Sequence, residues 1–225
     1  MLSKLAIKYY FQSIPTLINN FNWWVFPLVF FTKPVFIKIK NNPSFYVSNL
    51  MDIWTLKEVI IDRQYEKGKI VNNGDFIIDV GAAIGDFSIS IAKKVKKVIA
   101  YEYDDERVCL MKKNLQINGV TNVVLKHVKA KSLKQLLKGV DKIQFLKIDC
   151  EGGEYDIFRN ADKADLAKIQ YIAMEAHKFN KKMKNEYLDL LNMLKRNNFD
   201  VKMIPNSVRN DICFVFAHKN YEWNN

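Results

Sequence analysis

Cysteine is scarce in this sequence. Of its 225 residues only Cys109, Cys150 and Cys213 carry a thiol, and these isolated positions give neither a disulfide framework nor the paired spacing of a zinc site. A reducing compartment is typical of such a chain. We therefore expect a cytoplasmic protein, either free or at a membrane surface.

Long apolar runs are also missing. The run at residues 23–31 (WWVFPLVFF) is too short to cross a bilayer as a helix, and Pro27 interrupts it. No small-residue cleavage site of a signal peptide follows it. We expect residues 1–34 to form an apolar helical extension that contacts a membrane surface, its own domain or the second subunit of a homodimer. Four apolar residues fall near one face of that helix, with two lysines beside them: Leu5, Tyr9, Ile14 and Leu17, with Lys4 and Lys8.

Acidic residues are outnumbered, since 35 lysines and arginines face 24 aspartates and glutamates and give a formal net charge of +11. Such a charge suits a nucleic acid, an anionic membrane or an acidic substrate. The lysines are spread along a chain that is rich in Lys, Asn and Ile, as an AT-rich genome would make it. We therefore do not expect nucleic acid as the partner.

Repeats, low-complexity segments and linkers are absent. We expect a hairpin and a helix over residues 35–70, which lead into a main domain over residues 71–225. Strands and helices alternate in that domain, which predicts a mostly parallel sheet with helices on both faces. The last two strands are joined by a short turn and must pair antiparallel. The predicted strands are residues 35–39, 45–47, 76–80, 98–101, 123–127, 143–148, 169–174, 199–204 and 212–217, and the predicted helices are residues 52–62, 86–97, 105–118, 132–138, 154–160 and 182–197.

The glycines of a dinucleotide site are incomplete. The segment at residues 79–86 (DVGAAIGD) lies between a strand and a helix, but Ala83 and Asp86 stand at the second and third positions of the Gly-x-Gly-x-x-Gly pattern. Asp86 would place a carboxylate where a pyrophosphate should bind. S-adenosylmethionine carries an ammonium and a sulfonium and no phosphate, so it suits Asp79 and Asp86 better than NAD does.

Acidic side chains follow the next strands. Glu102 ends the second strand, where an acid can accept both ribose hydroxyls of an adenosine. Asp149 and Glu151 follow a later strand, and Glu175 and His177 share one face of the strand after that. Carboxylates that converge at one edge of a sheet can bind hydroxyls, accept a proton or hold a metal. A lone histidine there could take a hydroxyl proton near neutral pH. Glu154 begins the next helix, where its charge mainly favours the helix dipole.

These motifs together resemble the FkbM-type methyltransferase family, which has the class I, Rossmann-like methyltransferase fold. The resemblance runs from about residue 36 to residue 216. It is carried by Asp52, Glu58 and Tyr65, by residues 79–82 with Gly85 and Phe87, by Glu102, by Asn114, Asn118 and Gly119, and above all by residues 146–149 (LKID) with Glu151, Gly152 and Glu154. The sequence departs from the family at Ala83, where Asn is frequent, and at residues 129–131, which lead directly into a helix.

The resemblance implies a seven-stranded sheet, bound S-adenosylmethionine and O-methylation of a sugar-type small molecule or glycan. The expected catalytic residues are Asp149, Glu151, Glu175 and His177, with His177 or Asp149 as the base. The expected cofactor-binding residues are Tyr65, Asp79, Gly81, Ala82, Ala83, Gly85, Asp86, Phe87, Glu102 and Tyr103. A divalent metal at Asp149 is conceivable, but we do not predict one. An RNA methyltransferase and a non-catalytic binding module with this fold are the alternatives.

Overall fold

The computed structural model describes residues 4–206 and 208–219, with side chains from residue 7 onward. A seven-stranded sheet forms its centre, in the order β5-β4-β3-β6-β7-β9-β8. β9 runs antiparallel to β7 and β8, whereas the other pairs in the sheet are parallel. The sheet strands are β3 (Phe76–Val80), β4 (Lys97–Glu102), β5 (Val123–His127), β6 (Phe145–Ile148), β7 (Tyr171–His177), β8 (Phe199–Pro205) and β9 (Ile212–Lys219).

Helices cover both faces of this sheet. Successive residues of a strand point to opposite faces, and each face has its own hydrophobic cluster: Ile77 and Phe145 belong to one, Ile78 and Leu146 to the other. The predicted α/β fold and the final antiparallel pair are therefore confirmed. The helices are α1 (Lys4–Asn20), α2 (Leu50–Leu56), α3 (Asp86–Ile91), α4 (Asp105–Ile117), α5 (Leu133–Leu136), α6 (Glu154–Phe158), α7 (Lys163–Ala167) and α8 (Lys181–Arg196).

The hairpin before the sheet consists of β1 (Val35–Ile37) and β2 (Phe45–Val47), which pair antiparallel. Asn114 on α4 holds it in place, because its side chain accepts a hydrogen bond from the Tyr46 amide (2.6 Å) and donates to the Tyr46 carbonyl (3.1 Å). The hairpin shares a hydrophobic cluster with the sheet. Asn114 in the sequence motif is therefore a structural residue.

The N-terminal extension is helical, as predicted, with α1 followed by a 3₁₀ helix at Trp23–Phe30. Tyr9 and Leu17 face the domain, but Ile14 is 44% exposed and does not share their buried face. The side chains of Lys4 and Leu5 lie outside the described part of the chain. Among the described residues no helix is long and apolar enough to span a bilayer.

Several helices differ from the prediction. The helix expected at residues 52–62 is α2, which ends at Leu56 and continues as a π-helix over Lys57–Ile61, and the helix expected at residues 132–138 is the shorter α5. The helix expected at residues 86–97 ends as α3 at Ile91 and continues as a 3₁₀ turn over Ala92–Lys94. Asn122 donates to the carbonyls of Ala92 (2.8 Å) and Val95 (3.0 Å), which satisfies groups that a longer helix would have bonded internally. α7 was not predicted, although Asp162 caps its first turn.

Candidate active site

The loop after β3 lies against the end of β6. Gly81 has φ +73°, and a Cβ on it would lie 1.6 Å from the carbonyl oxygen of Asp149. Only glycine fits there, because the clash is with backbone that cannot move aside. Gly85, with φ +86°, marks the start of α3. The loop thus leaves the sheet next to the acidic residues that follow β6.

Beneath the loop is a buried ion pair. The Asp79 carboxylate lies 3.0 Å from Lys147 Nζ and accepts a hydrogen bond from Ser88 (2.7 Å). Lys147 also donates to the Gly81 carbonyl (2.7 Å). Burial alone would lower the pKa of Lys147, but Asp79 and the acids around it raise it above the ordinary value. Asp79 was expected to bind the cofactor; the structure shows it bound to Lys147 and Ser88, which sequence analysis left without a role.

Asp86 begins α3 and is almost completely buried. One of its oxygens accepts a hydrogen bond from the Phe87 amide (2.6 Å). Burial raises the pKa of Asp86 to about 7, and the nearby Asp79 acts in the same direction, although Lys147 opposes it. This carboxyl is thus poised to become ionised when a cation is placed beside it.

Glu102 ends β4 on the other side of the loop. Its Oε2 accepts from the amide of Ala83 (2.9 Å), and its Oε1 accepts from the amides of Tyr103 (2.7 Å) and Asp104 (2.9 Å). Oε2 keeps acceptor capacity for a further hydroxyl. Ala83 adopts a left-handed φ of +47°, which is sterically unfavourable for alanine. Tyr103 is exposed beside Glu102.

Asp149 follows β6, and Tyr65 holds it. The Tyr65 hydroxyl donates to Asp149 Oδ2 (2.6 Å), and its ring packs edge-on against Phe87 and Phe214. Burial and the charge of Asp149 raise the pKa of Tyr65 well above its ordinary value, so the phenol stays protonated and donates. The structure therefore shows Tyr65 as a residue that positions Asp149, whereas the sequence placed it with the cofactor.

His177 ends β7 and is buried against Glu154. Glu154 Oε1 lies 2.9 Å from His177 Nδ1 and also accepts from the His177 amide (2.7 Å). Burial lowers the pKa of His177, but the hydrogen bond and charge of Glu154, with Asp149 and Glu175, outweigh it and raise the pKa to about 9. Glu154 is therefore the counterion of His177, a role beyond the helix start expected from the sequence.

Two more carboxylates face the other ring nitrogen. His177 Nε2 lies 3.7 Å from Glu151 Oε2 and 3.7 Å from Glu175 Oε1. Burial and Asp149 raise the pKa of Glu175 to about 8, although His177 opposes them. Glu151 is largely exposed and has a left-handed φ of +52°. The structure thus brings all four expected catalytic residues together at the carboxyl ends of β6 and β7.

Two family models match this chain. The model described as the methyltransferase FkbM domain matches residues 121–201, and that of the TRM5/TYW2 methyltransferase domain matches residues 52–144. Solved structures of the same fold include two complexes with S-adenosylhomocysteine, the product that remains after methyl transfer. Both models describe S-adenosylmethionine-type methyltransferase domains, and together they match residues 52–201 of this chain.

The individual proteins that this chain resembles have diverse descriptions. A probable cobalt-precorrin-6B C(15)-methyltransferase (decarboxylating) of Methanocaldococcus jannaschii is 31% identical over 111 residues, which cover 47% of this chain and 54% of the relative. The chain thus spans about half the length of the curated relative it matches. A methyltransferase FkbM from Methylobacillus flagellatus has a TM-score of 0.53 at 18% identity, covering 67% of this chain and 45% of that one. An rRNA methylase from Streptococcus thermophilus has a TM-score of 0.54 at 14% identity, with 70% and 92% covered. At such identities the two structures show the fold alone.

The loop after β3 fits S-adenosylmethionine. S-adenosylmethionine carries an ammonium and a sulfonium. Asp86 offers a buried carboxylate, and a cation beside it would lower its raised pKa toward the ordinary value. Glu102 offers its remaining acceptor to a ribose hydroxyl. The residues present therefore fit the cofactor by charge and by hydrogen-bonding capacity.

Proposed function

We propose that this methyltransferase methylates a hydroxyl oxygen of a sugar, a glycan or a related polyhydroxy small molecule. The observation that carries the proposal is the group of three carboxylates, Asp149, Glu151 and Glu175, around the buried His177. Ionised carboxylates accept several hydrogen bonds each. Such a group suits an acceptor that presents more than one hydroxyl.

The cofactor, when bound, supplies an electrophilic methyl group. The residues of this chain orient the acceptor and take its proton. With a pKa of about 9, His177 is protonated at neutral pH and accepts a proton only after losing its own. Glu175, with a pKa of about 8, is also mostly protonated at neutral pH. Asp149 is therefore the better candidate for the base.

RNA is the second candidate acceptor. The charge of +11 and the fold shared with an rRNA methylase favour it. The carboxylates at the mouth of the site oppose it, because they would repel the phosphates of a nucleic acid. A polyhydroxy acceptor without phosphate meets no such repulsion.

The roles of these residues can be tested by substitution. We expect Asp149→Asn and His177→Ala to lower turnover on the true acceptor about a hundredfold or more, while the affinity for S-adenosylmethionine changes little. Release of S-adenosylhomocysteine is measured over a panel of sugars, glycans and RNA, and calorimetry gives the cofactor affinity. Asp189→Asn, at an exposed position of α8, is the matched control.

Near-normal turnover in both variants would contradict the assignment, and release on RNA alone would favour the second candidate. A chelator provides a further check, because Asp149, Glu151 and His177 offer ligand atoms within 4.8 Å of one another. We expect EDTA to leave turnover unchanged. If turnover is lost on chelation and recovers when a divalent metal is added, the site is not independent of metal.

A further inference from the structure

A large cleft lies at the amino ends of the parallel strands, away from the candidate active site. Its lining includes residues just before β3, β6 and β7 and the last residues of β9, which ends beside the start of β7. We call it the basal cleft. Its volume is about 1080 Å³, just above the roughly 300–1,000 Å³ that small-molecule sites occupy.

Positive charge dominates the basal cleft. Four lysines line it, against the two carboxylates of Glu66 and Asp75. Glu66 is already paired with the Arg63 guanidinium (2.8 Å). The basic lining residues are Lys67, Lys69, Lys142, Lys219 and His218.

Few negative charges lie close enough to compensate these lysines. Asp75 lies 4.0 Å from Lys69 Nζ. Among the described residues no carboxylate lies within ion-pair distance of Lys67, Lys142 or Lys219. Lys219 Nζ instead donates to the carbonyl of Leu166 (2.6 Å). With Asp75 set against Lys69, the described lining therefore retains three positive charges.

Burial and neighbouring positive charges lower the pKa of several basic groups in the cleft. Burial lowers the pKa of Lys69, and the neighbouring Lys142 lowers it further, although Asp75 opposes both. Burial likewise lowers the pKa of Lys219. The pKa of His218 is also lowered, by burial and by the charge of Lys69, although Asp200 opposes them. An anion bound among these groups would stabilise their charged forms and offset the repulsion between Lys69 and Lys142.

We propose that the basal cleft binds a small organic ligand that carries two phosphate groups. One phosphate group carries a charge of about −1.5 to −2 at neutral pH, so two come close to balancing three unpaired lysines. Lysine binds phosphate well as a point charge. The side chains of Asn72 and Gln170 also line the cleft and can bond to the organic part. The proposal is independent of the acceptor, because the cleft and the carboxylate cluster lie at opposite ends of the parallel strands.

Calorimetry on the full chain tests the proposal with inorganic pyrophosphate and ADP as probes and with sulfate as a weaker anion. We expect both probes to bind, and Lys69→Gln with Lys142→Gln to weaken binding at least about tenfold, the scale of losing a charge-assisted hydrogen bond. The matched control is Lys184→Gln with Lys195→Gln, two exposed positions on α8 that give the same change in net charge. Lys142→Gln alone, at an exposed position, covers the case in which the double variant folds poorly.

Three outcomes would overturn the proposal. Absence of probe binding to the native chain is the first, and equal weakening in both double variants, which would indicate general attraction to a basic protein, is the second. The third is competition between pyrophosphate and S-adenosylhomocysteine, which would place the anion in the cofactor site. An RNA oligonucleotide that binds through Lys69 and Lys142 while pyrophosphate and ADP do not would replace the small ligand with a nucleic acid.

Discussion

Glu154 and His177 form a buried pair whose charge state depends on pH. The pKa of His177 is raised to about 9 from its ordinary 6.5, so its contribution to stability is complete below about pH 6.5 and is lost as the pH rises through 9. The pKa of Glu175 is raised to about 8 from 4.5, which also makes stability fall as the pH rises. Both groups bind more protons when the chain is folded.

We therefore predict that the free energy of unfolding falls by on the order of 2 kcal/mol between pH 6.5 and 9. Urea unfolding over this range measures the fall. Glu154→Gln should reduce it and lower the pKa of His177, which NMR titration reports, while the exposed control Glu106→Gln should not. A native pKa of His177 below 7 would contradict the charge state described here.

Lys147 is a single cation inside a strand whose other residues are all apolar and buried. Its loss would leave Asp79 buried with only Ser88 as a partner. We predict that Lys147→Met lowers the free energy of unfolding by about 3–5 kcal/mol. The exposed Lys195→Met should change it by less than about 0.5 kcal/mol. Equal small effects in urea unfolding would show that the ion pair does not matter for stability.

The N-terminal extension, made of α1 and the 3₁₀ helix at Trp23–Phe30, has two unlike faces. Phe21 and Val29 lie in the core, whereas Trp24 and Phe30 are 66% and 71% exposed, and Phe31 just after them is 82% exposed. Several large apolar side chains so close together mark an interaction surface. Truncation at residue 35 would also remove core side chains, so point substitutions test this surface better.

We predict that the full chain floats with anionic liposomes and that Trp24→Ser with Phe31→Ser reduces this flotation strongly. Burial of each aromatic contributes about 1.5–3 kcal/mol, against up to about 1 kcal/mol for each nearby lysine, so salt should weaken attachment only partly. Met51→Ser with Met203→Ser, exposed elsewhere, is the control. Light scattering on the same variants tests the homodimer alternative. A chain that is monomeric and does not bind liposomes would contradict both the membrane and the homodimer interpretations.

Across the whole molecule, the sequence predicted features that depend on local patterns better than contacts between distant residues. The strands followed from apolar runs bounded by turns, and the antiparallel end from the short connection between β8 and β9. The end of α3 could not be predicted, because it depends on Asn122 from a distant turn. The partners of Asp79 and His177 stayed hidden for the same reason: Lys147 and Glu154 reach them only in the folded chain. A lysine in a buried strand was the one signal available, since it requires a counterion.

The proposed reaction is methyl transfer from S-adenosylmethionine to a hydroxyl oxygen of a polyhydroxy acceptor. The most direct measurement uses S-adenosylmethionine with a ¹³C-labelled methyl group, incubated with the protein and the acceptor panel, and follows the label by NMR. We predict a methoxy signal on a sugar-type product, which forms about a hundredfold or more slowly with Asp149→Asn and at the normal rate with Asp189→Asn. A label on nitrogen or carbon, or on RNA only, would contradict it.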